Sequence, residues 1–253
     1  MIFDTHAHYD AEQFDNDREE LLAALRSCGI GGVIDPGCDL ESSEKAMRIA
    51  QEHDFVYFAA GWHPEEAESF TEDDFSKLIT LFEHPRCKAA GEIGLDYYWD
   101  KTYAEKQKEI LELQMALAFD ENMPVIIHDR EAHGDCLEFA KRYEGIKGVF
   151  HCFSGSAEMA KELLKRGWYL GFDGPVTYKN ARKTLEVLEI CPPDRILIET
   201  DSPYMSPVPM RGKRNDSRNL VYVIEKIAEI KGLTSEKTAD ITYENARQLF
   251  NIY

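Results

Sequence analysis

The chain is expected to fold as a single-domain (β/α)8 barrel. Three observations predict this: eight short β-rich runs that alternate with amphipathic helical stretches, a length of 253 residues, and an apolar fraction of 43%. Strand–helix alternation builds a parallel sheet covered by helices, and barrels of about 250 residues are single domains. No linker, low-complexity segment or fine repeat breaks the pattern, so residues 1–253 are expected to form one unit.

The strands are expected at Ile2–His6, Gly32–Asp35, Val56–Gly61, Lys88–Ile93, Pro124–His128, Gly148–His151, Tyr169–Phe172 and Ile196–Glu199. Each is a short apolar run, as strands buried on both faces require. Helical spacing of apolar residues fills the intervals at Arg18–Cys28, Ser42–Glu52, Asp74–Glu83, Tyr103–Phe119, Asp135–Tyr143, Ala157–Lys165 and Ala181–Leu188. Leu220–Lys231 follows the last strand, and Thr234–Phe250 reads as a helical tail. Thr71, three residues before Asp74, marks a helix start, while Gly29, Gly145 and Gly167 stand where helices should stop.

Composition narrows the class. No apolar run reaches the roughly 18 residues that cross a bilayer, and the N-terminal residues lack the basic and apolar regions of a secretory signal. A cytoplasmic location without membrane contact is expected. The six cysteines (28, 38, 87, 136, 152 and 191) form no Cys-x-x-Cys pair and are expected to be reduced. The net charge of −18 is unlike that of proteins that grip long nucleic acid over a whole surface. Either the substrate is no polyanion, or cations and a local basic cluster supply the positive field.

Barrel active sites lie at the carboxyl ends of the strands, which sorts the eight histidines. His6, His8, His63, His128 and His151 fall at or just past strand ends. His53 and His84 fall on the opposite rim, and His133 opens the fifth helix or its preceding loop. In a strand, side chains two residues apart share a face, so His6 and His8 can grip one divalent cation. Glu92, flanked by glycines, ends the fourth strand, and Asp201 follows the eighth with Glu199 on the same face. A carboxylate can bridge two cations, whereas a neutral imidazole serves one. The expected layout therefore puts one cation on His6, His8, Asp201 and Glu92. A second sits on Glu92, His128 and His151. Paired cations activate water and clamp attacking and leaving oxygens, with Asp201 as the candidate general base. The donor mixture suits Zn or Mn, and Mg is common in nuclease chemistry, so the metal stays open.

The segments Asp4-x-His6-x-His8, Gly91-Glu-Ile-Gly-Leu-Asp96, Ile127-His-x-Arg130, His151-x-Phe-Ser-Gly155 and Glu199-Thr-Asp-Ser-Pro-Tyr204 carry a resemblance in their order and spacing. Together they resemble the TatD family of metal-dependent deoxyribonucleases, part of the amidohydrolase-like superfamily of metal-binding barrels. The likeness extends to Thr242-x-x-Asn245-Ala-x-x-x-Phe250. It implies metal-dependent phosphodiester hydrolysis of DNA, commonly from the 3′ side and linked to repair. It also implies His6, His8, Glu92, His128, His151 and Asp201 as ligands, in agreement with the layout above.

Substrate contacts are expected from Arg211, Lys213 and Arg214, the one dense basic cluster after a strand end, and from His63 and Arg130. The family continues its Arg-Gly-Lys-Arg-Asn stretch with Glu-Pro. Here Asp216-Ser217 follows, which puts that loop's conformation in question. Asp96 is expected to orient a histidine through its second nitrogen, and Asp4 and Glu199 to support the ligands from behind. Tyr97, Tyr98 and Trp99 form an aromatic tip where an unpaired base could stack. Cys152 adjoins His151 but points to the other strand face, so a cysteine nucleophile is not expected.

The reading is a DNase that needs two divalent cations and acts by attack of a metal-bound hydroxide. Its expected substrate is single-stranded DNA or 3′ ends, with no obligate protein partner. The rival is a metal-dependent amidase, lactonase or esterase on the same scaffold, since barrels host many chemistries.

Overall fold

Both faces of a barrel strand are covered, one by neighbouring strands' side chains and one by helices, and the strand sequences are apolar to match. In the computed structural model, which describes residues 1–99 and 101–253, eight parallel strands pair in sequence order. They are β1 (Ile2–Asp4), β2 (Ile30–Pro36), β3 (Val56–Ala60), β4 (Cys87–Asp96), β5 (Val125–Arg130), β6 (Gly148–Phe150), β7 (Tyr169–Phe172) and β8 (Ile196–Ile198). The helices between and after them are α1 (Arg18–Ser27), α2 (Leu40–Glu52), α3 (Glu72–Thr80), α4 (Ala104–Asp120), α5 (His133–Arg142), α6 (Ala157–Lys165), α7 (Arg182–Ile190), α8 (Leu220–Lys231) and α9 (Ser235–Leu249). The barrel expected from the sequence is the one observed.

Local signals explain the boundaries. The Thr71 hydroxyl accepts from the Asp74 amide at the start of α3. Asp39 and Ser42 form a reciprocal cap on α2, which begins two residues earlier than expected. Gly29, Gly145 and Gly167 all take positive φ, between +86° and +93°, after their helices. β2 begins two residues earlier than expected and β5 ends two later, and two further strand ends beside the mouth differ. β1 ends at Asp4, so His6 and His8 lie beyond the regular strand, where Ala7 makes an isolated bridge to Ser202 and its amide donates to the Ile34 carbonyl at 3.0 Å. β4 runs three residues further than expected, because its pairing with β5 continues through Asp96 and Arg130. Gly94 permits that approach: at φ +151°, a Cβ there would lie 1.9 Å from the His128 carbonyl oxygen.

One residue from each strand (Phe3, Ile34, Ala59, Ala89, Ile126, Val149, Tyr169 and Leu197) builds a buried layer inside the barrel. Large Phe3 and Tyr169 are offset by small Ala59 and Ala89 within this layer. Ala246, Leu249 and Phe250, from α9 and the residue after it, join this layer. Between the helices and the outer strand faces lie two larger apolar clusters. The carboxyl ends of the strands are thereby left as the polar mouth.

The sheet closes between β8 and β1 with few ladder bonds. The Thr5 amide donates to the Ile198 carbonyl (3.1 Å), the Asp201 amide to His6 (2.9 Å) and the His8 amide to Ser202 (2.8 Å). Buried Asp4 locks this seam. Its carboxylate accepts from the Thr200 amide (3.0 Å) and hydroxyl (2.7 Å), the Ser217 hydroxyl (2.6 Å) and the His6 amide (3.3 Å). Asp4, expected to support the ligands from behind, reaches them only through the backbone, at the His6 amide. Asp216-Ser217, the departure from the family pattern, takes part here: Asp216 caps a 3-10 turn, and Ser217 also meets the Tyr9 hydroxyl at 2.7 Å. Asp4→Ala strands several buried donors at once. It is expected to lower unfolding free energy by about 2–4 kcal/mol, measured by urea denaturation.

Candidate metal centre

Five histidines and two carboxylates converge at the mouth, and Glu92 is the hub. Its Oε2 lies 3.3 Å from His6 Nε2 and 3.4 Å from His8 Nε2. Its Oε1 lies 2.8 Å from His128 Nδ1, 2.9 Å from His151 Nε2 and 3.4 Å from His63 Nε2. Asp201 Oδ1 completes the first group at 3.7 Å from His6 and 3.6 Å from His8. One carboxylate thus presents a different oxygen to each of two imidazole groups.

The donor spacings fit cations. Two nitrogens bound to one metal at about 2.0–2.1 Å stand roughly 2.9–3.4 Å apart, depending on the angle. His6 Nε2 and His8 Nε2 are 3.1 Å apart, and His128 Nδ1 and His151 Nε2 are 3.2 Å apart. The sets His6–His8–Glu92 and His63–Glu92–His128 can each hold an ion, as can His6–His151–Glu199.

Electrostatics prepares the same groups. Burial disfavours the Glu92 anion, but the surrounding histidines overcome it and hold the carboxyl well below its usual range. Asp201 is likewise lowered, against burial, by His8, His6 and His151. Burial, helped by His151, takes His6 down to about 4, so its imidazole is neutral and free to ligate. Burial opposes charge on His128 too, but Asp96 and Glu92 raise it to about 10. For His128 to hold a cation beside Glu92, its Nδ1 would have to give up that proton.

Supporting contacts hold the rings. Asp96 Oδ2 lies 3.0 Å from His128 Nε2, the outer partner expected of it. Glu199 lies beneath the site, 3.8 Å from His151 Nδ1, and accepts from Thr5 Oγ1 (3.3 Å) and the Cys152 amide. Gly171 leaves it room, since a Cβ there would come within 2.6 Å of both Glu199 oxygens. His8 Nδ1 meets the Pro36 carbonyl at 3.1 Å, which directs Nε2 to the centre.

A mouth cavity of ≈ 730 Å³ contains His8, His63, Glu92, His128, His151 and Asp201 in its wall, together with Arg130. His63, expected as a substrate contact and not as a ligand, lies among the donors. Arg214 needs a larger correction. It forms a paired ion bridge to Asp17 (2.7 and 2.6 Å), donates to the Gln13 carbonyl and stacks on Phe14, so its charge clips two loops together. Arg211 lies 4.1 Å over the Tyr178 ring, and Lys213 is exposed; both lie on the rim outside the cavity wall. Tyr97 leaves the aromatic tip by donating to Asp135 (2.7 Å), while Tyr98 and Trp99 are exposed. All six cysteines are free, and burial raises Cys152 well above the ordinary thiol range.

Two residues escaped sequence reasoning. Gln114 on α4 accepts from the Trp62 amide (2.6 Å) and donates to the Trp62 carbonyl (3.0 Å). Gln107 clasps the Asp96 amide and carbonyl in the same way, both at 3.0 Å. These buried side chains fix the backbone beside His63 and at Asp96. Their signal is two glutamines seven residues apart on a helix face that otherwise carries Ile110, Leu111 and Met115.

Comparison with known proteins agrees with this construction. Residues 3–251 match the family described as TatD related DNase. The uncharacterized metal-dependent hydrolase YabD of Bacillus subtilis (strain 168) is 46% identical, with both chains covered in full. The 3′-5′ ssDNA/RNA exonuclease TatD of Citrobacter rodentium (strain ICC168) is 31% identical over 99% of this chain and 98% of its own. Among solved structures, the TatD homologue YJJV from Escherichia coli K12 superposes with a TM-score of 0.94 at 30% identity, covering 100% of this chain and 98% of the other. The chain belongs to the TatD family of metal-dependent hydrolases.

Proposed function

We propose that the chain hydrolyses phosphodiester bonds at the 3′ ends of single-stranded DNA with the help of two divalent cations. The observation that carries this is the division of Glu92, one oxygen toward His6 and His8 and the other toward His128 and His151. The exonuclease name of the Citrobacter relative supports nucleic acid as substrate. In this reading His6, His8, Asp201 and Glu92 hold one cation, and Glu92, His128 and His151 the other.

Such cations, when bound, acidify water and offset charge on the phosphoryl oxygens. The remaining work falls to the chain. Asp201, ionised and partly open to the cavity, accepts the proton of the attacking water. Arg130, in the cavity wall, donates to a non-bridging phosphate oxygen, and His63 meets the same group from the opposite side of Glu92. Asp96 and Glu199 keep His128 and His151 oriented. Arg211 and Lys213 attract the strand at the rim.

One feature favours a second reading. Asp10, Asp39, Glu65 and Glu66 also line the cavity, and their charge suits a small neutral ester, lactone or amide. Hydrolysis assays on single-stranded DNA, duplex DNA, RNA, lactones and amides, with and without Mn, Zn or Mg, separate the two. Metal-dependent cleavage of DNA is expected; turnover of a lactone or amide without any strand cleavage would refute the nuclease reading. Glu92→Ala is expected to reduce bound metal from two ions per chain to about one or fewer, measured by elemental analysis. Unchanged stoichiometry would show that Glu92 bridges nothing.

A further inference from the structure

Charge is unevenly divided around the mouth. The loops after β2 and β3 bring Asp39, Glu65 and Glu66 into the cavity wall. Across the barrel, the loop after β7, the first turn of α7 and the loop after β8 expose Lys179, Lys183, Arg211 and Lys213, with Arg182 paired to Glu186 at 3.0 Å. In an eight-stranded barrel β3 and β7 are opposite one another, so acidic and basic arcs confront each other over the metal centre.

Between the arcs, after β4 and β5, stands an aromatic wall. Arg130 lies 3.9 Å over the Tyr98 ring and 5.1 Å from that of Trp99, and the two rings meet edge to face at 4.8 Å. Trp99 is 66% exposed although it lines the cavity, and Tyr204, 53% exposed, lines it from the loop after β8. Large aromatic faces left open beside a reaction centre suit a flat ring, and an arginine against them holds the stack and adds its own planar face.

We propose that this side of the mouth receives the terminal nucleotide of a strand, its base on Trp99 and Arg130, while Glu65, Glu66 and Asp39 repel any phosphate beyond it. The chain of phosphates then leaves over the basic arc. The acidic arc is thereby a stop that makes the site read ends, which reconciles a polyanionic substrate with a protein of net charge −18. This rests on the nuclease reading above and adds the residues that recognise the end.

Trp99 gives a direct readout, because the other two tryptophans, Trp62 and Trp168, are buried. Titration with a short single-stranded oligonucleotide is expected to quench the solvent-exposed component of emission, and Trp99→Phe should abolish that component. Cleavage is then compared on four strands: linear, linear with an abasic terminal nucleotide, linear with a terminal phosphate at the attacked end, and circular. The wild type should prefer a terminal base over an abasic end by roughly 5- to 150-fold. It should be slowed roughly tenfold or more by the terminal phosphate and should leave the circle intact. Trp99→Ala should bring the base-to-abasic ratio close to one. Glu65→Gln combined with Glu66→Gln should relieve the phosphate penalty. Equal cleavage of the three linear strands by the wild type, or unquenched Trp99 emission, would overturn the proposal while leaving the nuclease reading intact; cleavage of the circle would overturn the reading of ends in both. Absence of cleavage on every strand overturns both.

Discussion

Closure of the sheet at the β8–β1 seam is the constraint on which the site depends. Seven strand pairs are held by parallel ladders, but the eighth junction is held by a few backbone bonds and the buried Asp4 carboxylate. His6 and His8 leave one side of this seam and Asp201 leaves the other. The seam therefore sets the distance between donors that are almost two hundred residues apart in sequence. Past the end of β1 at Asp4, irregular backbone bonds on both sides hold the next residues, and both imidazoles meet at the centre.

Glu92 imposes the complementary electrostatic demand. A carboxylate with only 3% of its surface exposed is costly to ionise unless cations or protonated partners surround it. Histidines from four strand ends provide those partners without any lysine or arginine occupying the centre. The arrangement is charged, dehydrated and adjustable, since imidazoles can exchange protons for metal ions. Its negative surroundings, Asp201 and Asp96, complete the attraction for divalent cations.

Most of the architecture was legible in the sequence because barrel strands repeat a simple physical pattern. The placement of His63, His128, His151 and Glu92 at one rim followed from their positions at strand ends. Less was legible where a side chain's partner lies far away in sequence. Arg214 read as a phosphate contact because nothing in its own loop discloses Asp17 and Phe14, which neutralise and cover it. Tyr97 resembled its exposed neighbours until Asp135 was placed beside it. The acidic arc was hidden for a different reason: Asp39, Glu65 and Glu66 look like ordinary helix-start residues, and only closure of the barrel brings them to one wall.

The two glutamines of α4 have a consequence beyond anchoring. Each offers a backbone segment the donor and acceptor that a neighbouring strand would offer, so a side chain stands in for a rung of sheet. Seven helical residues rise about 10.5 Å, and that fixed interval is imprinted on the segments at Trp62 and Asp96. A helix with no atom in the cavity wall thus acts as a gauge block for its width. Changes in what the mouth admits could arise on the outside of the barrel, through shifts in the pitch or seating of α4, with every donor left in place.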